Sequence, residues 1–543
     1  MERDQIKNVD DKKTISDSNQ TLAYEVVKAL AKLGVRDWCL SPGIRNTALI
    51  DCVMTSSEIE KHLFFDDRAA SFFALGRARL KKRPVAVCVT SGTAVGELLP
   101  AAMEAYYTET PLIFVTADRP KRYRFTGAPQ TANQENLFGV YTSHFEDIES
   151  GTPIRIFNWS MQKPAHLNIC LEESYHHDYS RFPEIDLFLS REVAYQPIQA
   201  KEPGVLIELF EKANNPLVVV GTLLEEEVSI VRETLIKWDL PVILESNSCL
   251  RNDPSLDHLS IKPYNNLLKM CRDAGYPIDA IIRIGGIPTV RLWRDLEDLQ
   301  DSIEVVSISR LPFSGLPNGK LIHGDLNFFF RSIGNQIPNP GHGNFEKLLS
   351  NARNKEQFVL RSFEKYPNSE PALVYKLSLI IAKEASVYLG NSMPIREWDL
   401  FASNNAPYKK IRSSKGLNGI DGQVSTFLGL TLDEPGEHWG VVGDLTALYD
   451  LSAPWIANKK SSYKLVIINN NGGQIFARKK LNQYIINPHP FSFKAWADLY
   501  YFPYEKWEDI PRESLPTEGL SIIEMVPKLS QTNAFWEEFE SYD

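Results

Sequence analysis

The stretch VVGDLTALYDLSAPWIANKKSSYKLVIINNNGG, Val441 to Gly473, constrains this chain more than any other. An apolar run (HWGVVG) ends in Gly443-Asp444. A helical segment and a basic, polar loop follow. A second apolar strand, Tyr463 to Ile468, then stops at three asparagines and two glycines. Strand, crossover and strand predict a parallel βαβ unit, and in a right-handed unit both strand ends lie at the same edge of the sheet. Asp444 and the Asn469–Asn471 cluster are therefore expected to meet in space. One carboxylate, one side-chain amide and a nearby backbone carbonyl form a hard oxygen site, suited to Mg²⁺ that is also held by a phosphate. The same residues equally describe an ordinary strand-end aspartate and an Asn-Gly turn, and spacing alone leaves both readings open.

The βαβ pattern repeats along the chain. In the first block, helical TLAYEVVKALAKLGV ends at Gly34, DWCLSPG is a short strand into a turn, and Ala69 to Leu80 is helical. RPVAVCVTSGTA and PLIFVTADRP are buried strands flanking a helix over AVGELLPAAMEAYYTET. A second block carries the strands NNPLVVVGTLL, LPVILESN, IDAIIRIGG and SIEVVSIS; a third opens with SVYLGNSMPIREWD and closes with LSIIEMV. Such alternation predicts α/β architecture with doubly wound parallel sheets. The expected division is a polar tail over 1–19 and three α/β domains over 20–190, 195–365 and 366–543, with the Pro/Gly/Asn-rich NQIPNPGHGNFEK as a boundary. Ligand sites in such sheets lie at the carboxyl ends of strands. There the first block places Ser41-Pro42-Gly43, Asp66-Asp67-Arg68, Ser91-Gly92-Thr93 and Ala117-Asp118-Arg119-Pro120.

Composition narrows the function classes. A chain of 543 residues exceeds one core, and its 43% apolar and 24% charged residues suit a globular protein. A net charge of −10 without a basic run argues against a nucleic-acid partner. Six cysteines (Cys39, Cys52, Cys88, Cys170, Cys249, Cys271) lack CxxC spacing and read as buried, reduced thiols. The polar N-terminus has no signal-peptide apolar core, and no apolar run reaches membrane-spanning length. A cytoplasmic protein without membrane insertion is expected.

In the first block, Asp66, Asp67 and Arg68 follow a strand-like HLFF and precede an apolar helix. A carboxylate there could cap the helix, or hold a proton or a protonated ring nitrogen, one role per residue. Arg45, Arg119 and Arg396 each follow an apolar strand at a turn. Arginine forks suit carboxylate substrates, although a lone arginine is more often a surface charge. No GxSxG elbow, GxGxxG fingerprint or Walker A loop is present, which lowers the ranking of dinucleotide enzymes and P-loop kinases.

The pair GD…NNNGG is similar to the diphosphate–magnesium motif of thiamin diphosphate enzymes. With LSPGIRNTAL, FFDDRAASFFALGRA, VTSGTAVGELLPAAMEAYY, TGAPQTANQ, LGNSMPIREWDLF and NGIDGQVST, the chain resembles the 2-succinyl-5-enolpyruvyl-6-hydroxy-3-cyclohexene-1-carboxylate synthase family of menaquinone biosynthesis. The resemblance implies a pyrimidine-binding domain, a central domain and a diphosphate-binding domain. It further implies a homodimer or homotetramer with the active site at the subunit interface, thiamin diphosphate with Mg²⁺ or Mn²⁺, and the small-molecule substrates 2-oxoglutarate and isochorismate. The implied reaction is decarboxylation of 2-oxoglutarate and addition of the resulting carbanion equivalent to isochorismate. By the same resemblance, Asp444, Asn470 and the Gly472 carbonyl ligate the metal. Asp67, Ser392, Ile420, Gly443, Asp444, Leu445, Asn470, Gly473, Ile475 and Phe476 bind the cofactor, with Ile420 as the wedge that bends it. Arg45, Arg119, Gln130, Ser392, Arg396 and Lys415 meet substrate, and Arg291 is a looser match from the central domain.

Three positions depart from the family pattern. The activating glutamate is Asp67, one methylene shorter, whereas proton relay demands hydrogen-bond reach of about 2.6–3.2 Å. Ile44 replaces a serine, and Lys415 replaces an arginine, keeping the charge but losing the bidentate fork. A working synthase with a divergent site is the leading expectation. The alternatives are a paralogue using another 2-oxo acid or acceptor, and a non-catalytic cofactor-binding homologue.

Overall fold

The structure, a computed structural model, describes residues 18–172, 182–183, 185, 203–299, 302–334, 343–404, 408, 410–457, 462–479, 482–512 and 519–542. The expected tail, and most of the expected boundary at 335–347, lie outside them. The chain forms two compact units. One comprises Met1–Tyr195, Asp421–Glu434 and Leu448–Asn458; the other comprises Gln196–Ile420, Pro435–Ala447 and Lys459–Asp543.

Three sheets carry the fold, and every strand pair in them is parallel, as the apolar strands and helical crossovers predict. The first holds β1 (Asp37–Leu40), β2 (Glu60–Leu63), β3 (Val85–Val89), β4 (Leu112–Asp118), β5 (His144–Ile148) and β6 (Ala165–Cys170), in the order β2-β1-β3-β4-β6-β5. The second holds β7 (Pro216–Val220), β8 (Val242–Leu244), β9 (Ala280–Ile284), β10 (Glu304–Ser309) and β11 (Lys320–His323), in the order β11-β10-β9-β7-β8. The third holds β12 (Ser386–Leu389), β13 (Lys410–Arg412), β14 (Glu437–Gly443), β15 (Ser462–Ile468), β16 (Tyr504–Trp507) and β17 (Gly519–Met525), in the order β13-β12-β14-β15-β17-β16. Strand order reverses between β1 and β3, β7 and β9, and β12 and β14. A doubly wound sheet opens a crevice at each such point.

Two local expectations need correction. The helix expected over 94–110 is two helices, Thr93–Gly96 and Leu99–Thr108. Pro100 has no N–H to give a preceding turn and sits instead at the start of the second helix. The strand read from HLFF ends at Leu63.

In the first unit, helix Asp67–Lys81 crosses helix Gln423–Thr431 at very close range. A Cβ on Gly76 would stand 2.3 Å from the Thr426 carbonyl oxygen, so only glycine permits this crossing. Arg77, fully buried on the same helix, donates to Asp37 Oδ1 through Nε (3.0 Å) and Nη2 (2.6 Å), and Nη2 also reaches Asp433 at 2.6 Å. Five of the six cysteines are buried and all are free, as their spacing predicts. Among the described residues no helix is long and apolar enough to cross a membrane.

Candidate active site

The residues singled out by sequence gather at the carboxyl ends of strands beside two of the three switch points. In the second unit, β14 and β15 pair in register to their ends, Gly443 opposite Ile468. Asp444 follows one strand and Asn469–Gly473 follow the other, so the expected meeting occurs: the Gly472 N–H donates to Asp444 Oδ2 at 2.8 Å, and the Leu445 N–H donates to Oδ1 at 2.6 Å. His489 Nε2 stands 3.1 Å from Asp444 Oδ2, without hydrogen-bond geometry. Burial raises the Asp444 carboxyl above the usual range against the pull of these donors. Gly472 has φ +106°, and a Cβ there would meet the Ile486 carbonyl oxygen at 2.4 Å. The turn therefore requires glycine.

Asn470 is buried beside this pair. Its Nδ2 donates to both carboxylate oxygens of Glu370, at 3.0 and 2.9 Å. A planar amide so pinned has only Oδ1 left to offer elsewhere. One carboxylate, one amide oxygen and the carbonyls of a glycine turn fit a hard divalent cation that keeps a phosphate among its ligands. Among the described residues no cluster of three or more His, Cys, Asp and Glu could form a soft or histidine-rich metal site instead. Sequence reasoning missed Glu370. It also missed Glu397, whose two oxygens are buried without a hydrogen bond of proper geometry among the described residues. Burial, then the neighbouring Glu370 charge, drives Glu397 well above the carboxylate range, and burial also raises Glu370.

At the β12 end of the same switch point, Ser392 precedes helix Met393–Phe401 with φ +74° and ψ −127°, a conformation natural to glycine. Holding a serine there costs about 1–3 kcal/mol, and such strain gathers at functional sites. The Ser392 carbonyl accepts from Arg396 Nη1 at 2.6 Å, and Lys415 Nζ donates to Asn391 Oδ1 at 3.1 Å. Burial lowers the Arg396 pKa, while the charges of Glu245 and Asp399 oppose that shift and Arg294 adds to it. Arg291 pairs instead with Asp295, one turn along its own helix. Arg294 is thus the central-sheet arginine whose field reaches Arg396, and it was not singled out by sequence. Ile420 and Ile475 are half-buried, Ile475 packing against the large core of this unit, and Phe476 is exposed beside Gly473.

In the first unit, Asp66 and Asp67 divide their roles. Asp66 caps the helix by accepting the Ala69 N–H at 3.0 Å and takes the Ser452 hydroxyl at 2.5 Å. Asp67 is released to face Ser41 at the β1 end. Burial raises its pKa, the Ser41 hydroxyl opposes this, and the charges of Asp66 and Glu97 add to it. Arg45 donates to the Leu171 carbonyl at 3.3 Å. Arg119 lies over the Tyr123 ring and donates to the Pro129 carbonyl, next to Gln130. Gln130 has φ +54° and packs its backbone against Gly92. Arg119 and Gln130 therefore share one corner, and Ile44 projects into solvent.

Comparison with known proteins identifies the family and the fold. A family model described as thiamine pyrophosphate enzyme, N-terminal TPP binding domain, matches residues 20–137. A 2-succinyl-5-enolpyruvyl-6-hydroxy-3-cyclohexene-1-carboxylate synthase of Bdellovibrio bacteriovorus is 39% identical over 96% of this chain and 99% of its own length. That of Akkermansia muciniphila is 35% identical over 92% of this chain and 94% of its own. The crystal structure of benzoylformate decarboxylase from Polynucleobacter necessarius shares the fold, with a TM-score of 0.69 at 17% identity, covering 94% of this chain and 98% of that one. Full-length similarity at this level, on a chain whose strand-end residues converge as described, makes the chain a member of the 2-succinyl-5-enolpyruvyl-6-hydroxy-3-cyclohexene-1-carboxylate synthase family.

Proposed function

We propose that this chain decarboxylates 2-oxoglutarate and adds the resulting succinyl unit to isochorismate, giving 2-succinyl-5-enolpyruvyl-6-hydroxy-3-cyclohexene-1-carboxylate for menaquinone biosynthesis. The observation that carries this reading is the 39% identity to a curated synthase across 96% of the chain. Thiamin diphosphate, when bound, supplies the electron sink for decarboxylation and carbon–carbon bond formation. The chain's own residues bind, orient and handle protons.

Asp444, Asn470 and the Gly472 carbonyl hold Mg²⁺, or Mn²⁺ in its place, and with it the diphosphate. Gly443, Leu445, Gly473, Ile475 and Phe476 line the cofactor, and Ile420 is the wedge beside it. Asp67 keeps a carboxyl at the pyrimidine N1′, its raised pKa allowing it to carry a proton. Ser392 meets both cofactor and substrate. Arg45, Arg119, Gln130, Arg396 and Lys415 receive substrate carboxylates and hydroxyls. A half-buried arginine such as Arg396 discriminates a dicarboxylic 2-oxo acid from pyruvate by leaving a partly desolvated charge without its carboxylate when the wrong substrate binds.

The domain reading is pyrimidine-binding over 20–190, central over 195–365 and diphosphate-binding over 366–543. The active form is at least a homodimer. Leu63, Phe65, Tyr449, Leu451 and Trp455 form an exposed apolar patch in the first unit, where the Phe65 and Trp455 rings meet edge to face at 5.1 Å. A second copy is the occupant this patch fits. Free, mostly buried thiols accord with a cytoplasmic setting.

The test is a panel of 2-oxo acids offered with and without isochorismate, in the presence of thiamin diphosphate and Mg²⁺. Consumption of 2-oxoglutarate that depends on isochorismate is expected; turnover of pyruvate but not 2-oxoglutarate would defeat the assignment.

A further inference from the structure

We infer that Glu370 is a positioning residue for the metal anchor, holding the Asn470 amide so that Oδ1 rather than Nδ2 faces the cation. The inference rests on the reading of Asn470 as a ligand and adds the residue that makes it one.

An asparagine ligand carries a built-in ambiguity. Its oxygen and nitrogen are nearly equal in size, and a half-turn of the amide replaces an acceptor with two donors that repel a cation. Something must choose the orientation. Here the choice is made by a carboxylate, which can only accept when ionised. Glu370 is fully buried at the start of helix Glu370–Ile380, after the Ser369 cap. Its backbone N–H donates to Thr532 Oγ1 at 3.0 Å, which fixes the main chain beneath the carboxylate. Both of its oxygens accept from the one Nδ2 group, at 3.0 and 2.9 Å. Turning the amide would point Oδ1 at two carboxylate oxygens and forfeit both bonds. A charge-assisted hydrogen bond is roughly twice as strong as a neutral one, which makes the turned state rare. Partners of this kind commonly change metal affinity about 10–100-fold when removed.

The arrangement predicts a reciprocal swap. In Glu370→Gln one acceptor remains, but the introduced amide can present either its oxygen or its nitrogen to Asn470, so the orientation is no longer imposed. In Asn470→Asp the added charge should favour Mg²⁺, yet it places two carboxylates face to face in a buried site. In the double variant E370Q/N470D, the amide nitrogen introduced at position 370 donates to one oxygen of the carboxylate introduced at position 470, and the other oxygen remains for the cation.

Mg²⁺ affinity is measured by calorimetry on the full chain with saturating thiamin diphosphate, and ligand-free melting reports the fold of each variant. We expect E370Q to weaken Mg²⁺ binding about 10–100-fold. N470D should bind more weakly than wild type despite its charge, and the double variant should bind at least about tenfold more tightly than E370Q. Wild-type Mg²⁺ affinity in E370Q overturns the inference. If E370Q does not fold, tighter Mg²⁺ binding by N470D than by wild type overturns it. Absence of Mg²⁺ binding in the wild-type protein overturns the underlying reading of the site, and is thereby told apart from failure of the inference alone.

Discussion

Asp444 Oδ2 accepts the backbone N–H of Gly472 across 2.8 Å, tying the end of β14 to the turn after β15. The bond sets the carboxylate and the asparagine turn as one rigid edge before any ligand arrives. Asp444→Ala removes the proposed metal ligand and the tie together. Binding that favours the native state raises stability by about 2.7 kcal/mol at a ligand concentration 100 times Kd. Wild type should therefore melt at a higher temperature with thiamin diphosphate and Mg²⁺, and D444A should show no such shift. G472A should lose it too, because the added methyl would sit 2.4 Å from the Ile486 carbonyl oxygen.

Asp67 stands where the resemblance implies a glutamate. It faces Ser41, and Asp66 leaves it free by taking the cap. D67N should reduce turnover at least about 100-fold while leaving the cofactor-induced melting shift in place. D67E should fall below wild type, because a longer side chain displaces the carboxyl from the Ser41 hydroxyl it now meets. A gain of about tenfold in D67E, measured as single-turnover consumption of 2-oxoglutarate, would mean instead that reach limits the native enzyme.

The meeting of Asp444 with the turn after β15 was legible because it depends on two strong signals, apolar strands and the shared edge of a parallel unit. The division of Asp66 and Asp67 was legible as a pair of roles, but not which residue took which, since capping is decided by backbone geometry. Glu370 was invisible for a different reason. In NSEPALVYKL it reads as an ordinary acidic residue in a helix's first turn, where carboxylates are common and solvated. Only tertiary packing against Thr532 and Asn470 buries it. Arg294 was passed over for Arg291 because the two lie one helical turn apart, both are exposed, and no local signal says which one's charge reaches Arg396.

Arg77 should prove one of the costliest positions in the first unit. It is buried between Asp37 and Asp433, and Asp37 also takes Arg83 at 2.6 Å and His62 at 3.3 Å. Burial alone would raise the Asp37 pKa, but His62, Arg77 and Arg83 together hold it well below the usual range. Arg77→Met keeps much of the volume and strands a buried carboxylate. A loss of about 3–5 kcal/mol is expected from urea unfolding. A loss under about 1 kcal/mol would show that Arg83 and His62 suffice.

The exposed pair Phe65 and Trp455 predicts an interface. They are 61% and 55% accessible, and the Trp455 Nε1–H donates to the Leu63 carbonyl at 3.1 Å, which holds the indole outward. F65D/W455D places two charges in what should be a desolvated patch. Light scattering after gel filtration should show a monomer where wild type shows a dimer or larger form. An unchanged mass would place the contact elsewhere.

Glu227 gives the protein a pH dependence that is separate from the site. Its carboxylate accepts the Leu224 N–H at 2.7 Å at the start of helix Val228–Trp238, and burial pushes its pKa up to about 7, against the pull of Arg310. An acid whose folded pKa lies above its unfolded value favours folding at low pH. Its contribution is complete below the unfolded value, near about 4.3, and is lost as pH rises towards the folded one. Between those values the folded state binds one proton more than the unfolded state, so stability should fall by about 1.4 kcal/mol per pH unit from this group and then level off above about 7. Glu227→Gln keeps an acceptor for the Leu224 N–H and removes the titration. The difference in unfolding free energy, E227Q minus wild type, should therefore rise from about pH 5 to about pH 7 and stay flat to about pH 8. A difference that does not change with pH would show that Glu227 stays ionised in its buried position.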